Sequence, residues 1–284
     1  MRIFITGIRG FLGSSLESAL LQAGHFVTGS TSAPDPSRPE LPVFRLGETP
    51  DPKLFGDADV LIHGAHDFTP GALQRNLDSA RQLCLAAGPR RQIFVSSFSA
   101  RPDALGEYGI SKYRIEQFFL QQGQTIVRPG LVVGAGGLFG RQLRFLTASP
   151  LIPLLDNGRS PIPVLALADY CQALRVLLAA PPPGERAFNL FNPDMPDMRE
   201  LVEAVLRISG HRALLLPVSY RLARTVLSLA ERLRLPLPAT TAGLEADRLN
   251  RQCVHRSNLQ TLVPQPATLQ EMLQAALTTS KFRS

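Results

Sequence analysis

The chain is short of several things, and each shortage removes a class of protein. Its 284 residues include three cysteines, Cys84, Cys171 and Cys253, widely spaced and odd in number. That pattern fits neither a disulfide framework nor a zinc site, so free thiols in a reducing compartment are expected. Lysine occurs only at 53, 112 and 281, and the net charge of +7 comes almost wholly from scattered arginines. No basic block with interleaved aromatics is present, which argues against a nucleic-acid module. Charged residues make up 19 % and hydrophobic ones 44 %, a balance for a packed core rather than disorder. No run approaches twenty apolar residues, and no charged start leads into a signal-peptide core. Internal repeats and low-complexity tracts are absent. A soluble, cytoplasmic protein without membrane or nucleic-acid partners is expected.

What is present is an alternation. "RIFIT" reads as a strand, and "SSLESALLQAG" carries Leu16, Ala19, Leu20 and Ala23 at helical spacing before a glycine stop. "HFVTGS", the weaker "VFRL" (43–46), "DVLIHGA" (59–65), "QIFVSS" (92–97) and "TIVRPGLVVG" (125–134) read as strands. Residues 71–88 and 107–123 read as helices. Uniformly apolar strands alternating with helices predict an α/β fold: a Rossmann-type, doubly wound parallel sheet covered on both faces. Past residue 135 the alternation loosens, and from Ser219 the chain reads as mostly helical, with prolines at 236, 238, 264 and 266. The expected division is a Rossmann domain over 1–165 and a substrate-binding region over 166–284. The latter would cap the sheet and wall the substrate rather than stand as an independent domain. The "LSLAERLRL" stretch reads as core-facing packing.

Between the first strand and the first helix lies "TGIRGFLG", residues 6–13. Gly7, Gly10 and Gly13 permit a tight turn and a close backbone approach to a diphosphate, and the following helix N-terminus offers free N–H groups. The expected cradle is Gly7, Ile8, Arg9, Gly10, Phe11, Leu12 and Gly13.

Tyr108 and Lys112 stand one helical turn apart on one face. An ammonium beside a phenol favours the phenolate, and such a tyrosine can exchange the proton that accompanies hydride transfer. With four tyrosines and three lysines in the chain, this spacing is a rare chance event. Ser96, Ser97 and Ser99 crowd the preceding strand end. Ser97 and Ser99 would share one side, and Ser96 the other. Glu116 reads as pairing on the helix surface, and Asp169 as an N-cap. His63 and His66 lack a third ligand nearby, so no metal is expected.

These segments resemble the extended, nucleotide-sugar epimerase/dehydratase-like branch of the short-chain dehydrogenase/reductase superfamily. "DADVLIHGAH" is similar to a strand whose end lies along the cofactor, "RNLDSARQLCLAA" to the next helix with Asn76 at its Asn position, "FVSS" to the serine strand, "YGISK" to Y-x-x-x-K, and "VRPGLVVGAGG" and "PVLALADYCQAL" to later motifs. The resemblance implies Ser97, Tyr108 and Lys112 as catalytic, with Lys112 also holding the nicotinamide ribose. It implies a cofactor lined by Gly64, Ala65, His66 and Pro129 as well, and substrate contacts from Ser97, Ser99, Arg141 and Arg144. It implies a homodimer through the helices at 71–88 and 107–123. Only ten residues separate Ser97 from Tyr108, a trimmed loop for that branch.

The second strand ends without an acid; Ser30 and Thr31 stand there, and Asp35 comes later. With Arg9 and Arg38 as candidate 2′-phosphate partners, NADP is preferred over NAD. The resulting expectation is an NAD(P)-dependent oxidoreductase, epimerase or dehydratase acting on a hydroxyl/carbonyl pair, such as that of a nucleotide sugar. A carbonyl reductase of other small molecules and a non-catalytic NAD(P)-binding sensor or assembly protein are the alternatives.

Overall fold

A computed structural model describes residues 1–233, 241, 244–245, 248 and 255–281. In chain order the first elements are β1 (Arg2–Thr6), α1 (Phe11–Gln22), β2 (Phe26–Ser30), β3 (Val60–His63), α2 (Leu73–Ala86), β4 (Arg91–Val95), α3 (Glu107–Gln121) and β5 (Thr125–Pro129). There follow β6 (Leu131–Val133), α4 (Gly137–Ala148), β7 (Leu151–Leu155), β8 (Val164–Ala166), α5 (Leu167–Ala179) and β9 (Ala187–Leu190). The last are α6 (Met198–Ser209), β10 (Leu214–Val218), α7 (Tyr220–Arg232), α8 (Leu259–Leu262) and α9 (Leu269–Lys281). Cys253, Pro236 and Pro238 lie outside the described residues; Cys84 and Cys171 are buried, free thiols.

The chain divides into two compact units. Unit 1 comprises Met1–Pro129 and Cys171–Asn189, and unit 2 comprises Gly130–Tyr170 and Leu190–Ser284. This packing division runs differently from a single cut at 165. The chain leaves the first unit at Pro129 and returns to it to add most of α5 and the last sheet strand.

Unit 1 is built on a six-stranded sheet of order β2-β1-β3-β4-β5-β9. The ladders from β2 through β5 are parallel. The apolar strands demand cover on both faces. Phe4, Phe55, Leu61 and Leu83 pack in one cluster, and Leu77, Phe94, Ile115, Phe119 and Ile126 in another. The chain runs from β1 outward to β2 and then returns past β1 to β3. In open α/β sheets, ligands bind outside the strand C-termini at such a reversal. The expected strand at 43–46 is reduced to a single bridge between Val43 and Thr31. Two backbone bonds make that bridge, Phe44 N–H to the Thr31 carbonyl at 2.8 Å and Thr31 N–H to the Pro42 carbonyl at 3.1 Å, and the chain then turns away at Arg45–Glu48.

The expected strand at 125–134 is two strands in two sheets. β5 belongs to the six-stranded sheet, whereas β6 pairs with β8. The break is at Gly130, where a Cβ would lie 2.0 Å from the Pro163 carbonyl oxygen, so only glycine fits.

Unit 2 has its own core. Phe139, Leu143, Ile152, Leu154, Val164, Leu201, Val205, Met272 and Leu273 are among its buried members. α6 opens with a complete capping box between Asp197 and Glu200 and stops at Gly210 in the left-handed conformation. β7, not anticipated from the sequence, pairs in parallel with β10. Asp169 is not an N-cap. It sits inside the first turn of α5, and its buried carboxylate accepts the Ala267 N–H at 2.8 Å.

Candidate active site

At the β1–α1 crossover, Gly7 takes φ +72°, a conformation that disfavours any side chain, and a Cβ there would also press on the Ala65 backbone at 3.1 Å. Gly13 is fixed by space instead: its Cβ would lie 2.4 Å from the Gly7 carbonyl oxygen and 2.9 Å from Ile8 Cα. Gly10 is the N-cap of α1, no side chain caps that end, and its first turn holds no acid. Arg9 extends from this loop, while Ile8 is fully buried and Phe11 and Leu12 are half-buried. The uncapped N–H groups and the positive end of the helix dipole are therefore left for an anion.

A residue not singled out from the sequence, Thr6, ties this loop to the next strand. Its buried Oγ1 accepts the N–H groups of Gly64 and Ala65 at 3.1 and 3.2 Å. Asn76 performs the matching task further along: it accepts the Asp67 N–H at 2.9 Å and donates to the Asp67 carbonyl at 2.8 Å. These bonds hold residues 64–67 beside the glycine loop. A single hydroxyl or amide side chain carries no periodic signal, so only the fold reveals these roles.

The β4–α3 crossover brings Ser97, Tyr108 and Lys112 together. The Ser97 side chain neighbours the Tyr108 phenol and favours its charged form. Ser97 Oγ also accepts the Ser99 N–H at 3.2 Å. Ser99 is half-buried, and Ser96 is buried with its Oγ unpartnered. Lys112 is buried on α3; its Nζ donates to the Val95 carbonyl at 2.8 Å and lies 5.8 Å from the centre of the Tyr108 ring. Burial pulls the Lys112 pKa down to about 7, opposed by the charge of Glu116. The expectation of a lowered phenol pKa is not met in this geometry. Desolvation raises the Tyr108 pKa, and the neighbouring Ser97 side chain offsets only part of that. The physical reason is desolvation of the phenol, while Lys112 Nζ is directed at the Val95 carbonyl rather than at the phenol oxygen.

Two aromatic groups flank the tyrosine. His66 meets it edge to face at 5.1 Å, and Phe68 stacks on it at 5.6 Å. Burial and the nearby Lys112 charge drop the His66 pKa to about 3, so it is neutral at ordinary pH. His63 is buried against Gln92, with its pKa lowered to about 4 by desolvation. Among the described residues no cluster of three or more His, Cys, Asp or Glu could hold a metal.

Glu116 is not a surface partner. It is fully buried, and Arg128 grips it through two bonds of 2.9 and 2.7 Å. At the end of β2, Ser30 and Thr31 are buried, and the Thr31 hydroxyl donates to the Ala33 carbonyl. Arg9 pairs with Asp35 at 2.7 Å, and Arg38 with Glu17 at 3.0 Å and with Glu40. Pro129 ends β5 and is buried. Arg141 and Arg144 are exposed on α4, in unit 2.

No family model matches the chain, and no curated protein matches it. Solved structures do. MoeE5, in complex with UDP-glucuronic acid and NAD, is 18 % identical with a TM-score of 0.75, each chain covered fully. TunA, an NAD-dependent NDP-hexosamine 5,6-dehydratase involved in tunicamycin biosynthesis, is 18 % identical with a TM-score of 0.70, over 100 % of this chain and 98 % of that one. The UDP-glucuronic acid 4-epimerase of Bacillus cereus is 19 % identical with a TM-score of 0.69, each chain again covered fully. The chain thus has the fold of NAD-dependent nucleotide-sugar epimerases and dehydratases.

Proposed function

We propose that the chain is an NAD-dependent enzyme that oxidises or reduces a hydroxyl/carbonyl centre of a nucleotide sugar, as an epimerase, dehydratase or oxidoreductase. The observation that carries this reading is the convergence of Ser97, Tyr108 and Lys112 at one sheet end, in the same unit as an uncapped, glycine-lined helix N-terminus. Gly7, Gly10 and Gly13 with the first turn of α1 would hold the pyrophosphate of the dinucleotide. The nicotinamide, when bound, supplies the hydride donor or acceptor.

The rest falls to side chains of this protein. Ser97 orients the reacting oxygen and Tyr108 carries its proton, because the serine hydroxyl and the phenol are neighbours at one strand end. Lys112 must release the Val95 carbonyl to bring its charge toward the phenol, which would then favour the phenolate. Low dielectric around Lys112 strengthens that influence once it is made.

NAD takes precedence over NADP. Both arginines considered for a 2′-phosphate are already committed to carboxylates, Arg9 to Asp35 and Arg38 to Glu17 and Glu40. A phosphate at either would meet the repulsion of those acids. The solved relatives named above with a bound or required cofactor use NAD. Arg141 and Arg144 remain candidates for the diphosphate of the sugar nucleotide.

The test is a titration of the purified chain with NAD and NADP, followed by incubation with UDP- and dTDP-sugars under NAD. Tighter binding of NAD and conversion of at least one sugar nucleotide are expected. Binding of neither dinucleotide would overturn the reading. Binding without turnover of any sugar nucleotide or simple carbonyl would favour a sensor.

A further inference from the structure

Two features of unit 2 have no part in that reaction. The first is the outer row of α7 and its C-cap. Leu222, Val226, Leu229 and Leu233 recur at helical spacing along one stripe. They are 56, 50, 55 and 60 % exposed. A neighbouring stripe seats the helix, with Ala230 buried and Ala223 and Leu227 half-buried. Over 227–233 the expectation that this stretch faces the core therefore holds for one stripe only; Arg234 and Leu235 lie outside the described residues. Arg221 and Arg232 flank the exposed row about a quarter turn away, on the side remote from the seat, and Arg224 lies opposite it.

The second feature is the open face of the β7–β10 pair. Leu151 stands opposite Leu214, Pro153 opposite Leu216, and Leu155 opposite Val218. Alternate residues Ile152 and Leu154 enter the core, so these six share the other face. All six are apolar and none is buried. β10 passes into α7 through Ser219 alone. An apolar display of this extent on a folded chain marks an interaction surface.

Charge selects the occupant. From His211 to Leu233 there are four arginines and one acid, Glu231. Arg224 pairs with Glu245 at 3.7 Å, which leaves Arg212, Arg221 and Arg232 to set the sign of this face, and the whole chain carries +7. A second copy docking through the same face would set arginine against arginine. An anionic lipid surface suits both halves of the pattern. The apolar row enters the headgroup boundary while flanking arginines stay at the level of the phosphates.

We infer that α7, with the open face of the β7–β10 pair, seats the protein on an anionic lipid surface. The association is peripheral, since among the described residues no helix is long and apolar enough to cross a membrane. It does not depend on the reaction proposed above.

Flotation of the full chain with phosphatidylcholine vesicles, with and without phosphatidylglycerol, tests this. The chain should float with the anionic vesicles, far less with the neutral ones, and added salt should release it. Replacing both Leu222 and Leu229 with Asp should cut the bound fraction about tenfold or more while the melting temperature is kept. Arg221→Gln with Arg232→Gln should weaken binding to anionic vesicles alone. No flotation with anionic vesicles, or flotation indifferent to the double Asp variant, overturns the inference. So does a wild-type dimer in light scattering that the same variant dissociates, which would give the face to a second copy.

Discussion

Between β1 and α1 the chain keeps side chains out, whereas between β4 and α3 it brings side chains in. In the first crossover, Gly13 is obligatory because a Cβ would strike the Gly7 carbonyl, and the helix end has no capping side chain. In the second, the useful groups are a hydroxyl, a phenol and an ammonium, positioned by a helix whose own anchor is the buried Glu116–Arg128 pair. Binding of a large anion is done with backbone, which needs close approach. Proton handling is done with side chains, which need titratable groups in a dry setting. One crossover should therefore be intolerant of added atoms and the other of lost ones.

Substitution can break this contrast. The largest effect is expected for Gly13→Val, whose added atoms collide with fixed backbone; dinucleotide binding should fall below detection by calorimetry. Binding close to that of the wild type would show that the loop can rearrange and that space does not fix it. Tyr108→Phe should leave NAD affinity nearly intact and lower turnover about 100- to 10 000-fold, the range of a lost general acid–base group. Parallel losses in both would place Tyr108 in binding rather than chemistry.

Glu116→Ala removes the carboxylate that takes two of the half-buried Arg128 guanidinium bonds and should cost about 3–5 kcal/mol of stability in chemical denaturation. A loss well under 1 kcal/mol would mean that water reaches Arg128 and that α3 is anchored elsewhere. The smallest effect concerns pH. His63 and His66 hold pKa values of about 4 and about 3 in the folded chain, against 6.5 when free. Between these limits the unfolded chain binds more protons, so stability falls as pH drops below about 6.5. His63→Gln keeps an amide donor toward Gln92 and should flatten part of that acid slope in melts between about pH 6.5 and 4. An unchanged slope would mean that His63 already titrates normally.

Much of this architecture was legible in residue order. The apolar runs at 2–6, 59–65 and 92–97 lie where strands form, because burial on both faces leaves a continuous hydrophobic signal. The glycine spacing at 7, 10 and 13 and the Tyr108–Lys112 spacing were equally plain. What failed were features set by partners distant in the chain. Residues 125–134 look like one strand, yet Gly130 divides them between two sheets. Glu116 looks like a surface charge until Arg128 is placed against it. Arg9 looks free until Asp35 folds back onto it.

The sequence by itself determined the parallel α/β unit, the glycine loop and the face shared by Tyr108 and Lys112, since all of these rest on periodicity and short-range sterics. Only the tertiary structure decided that Lys112 is buried against the Val95 carbonyl, that Thr6 and Asn76 hold the 64–67 segment, and that one stripe of α7 is not covered by the other described residues. Desolvation, long-range hydrogen bonds and exposure depend on which residues meet in space. No local pattern records that.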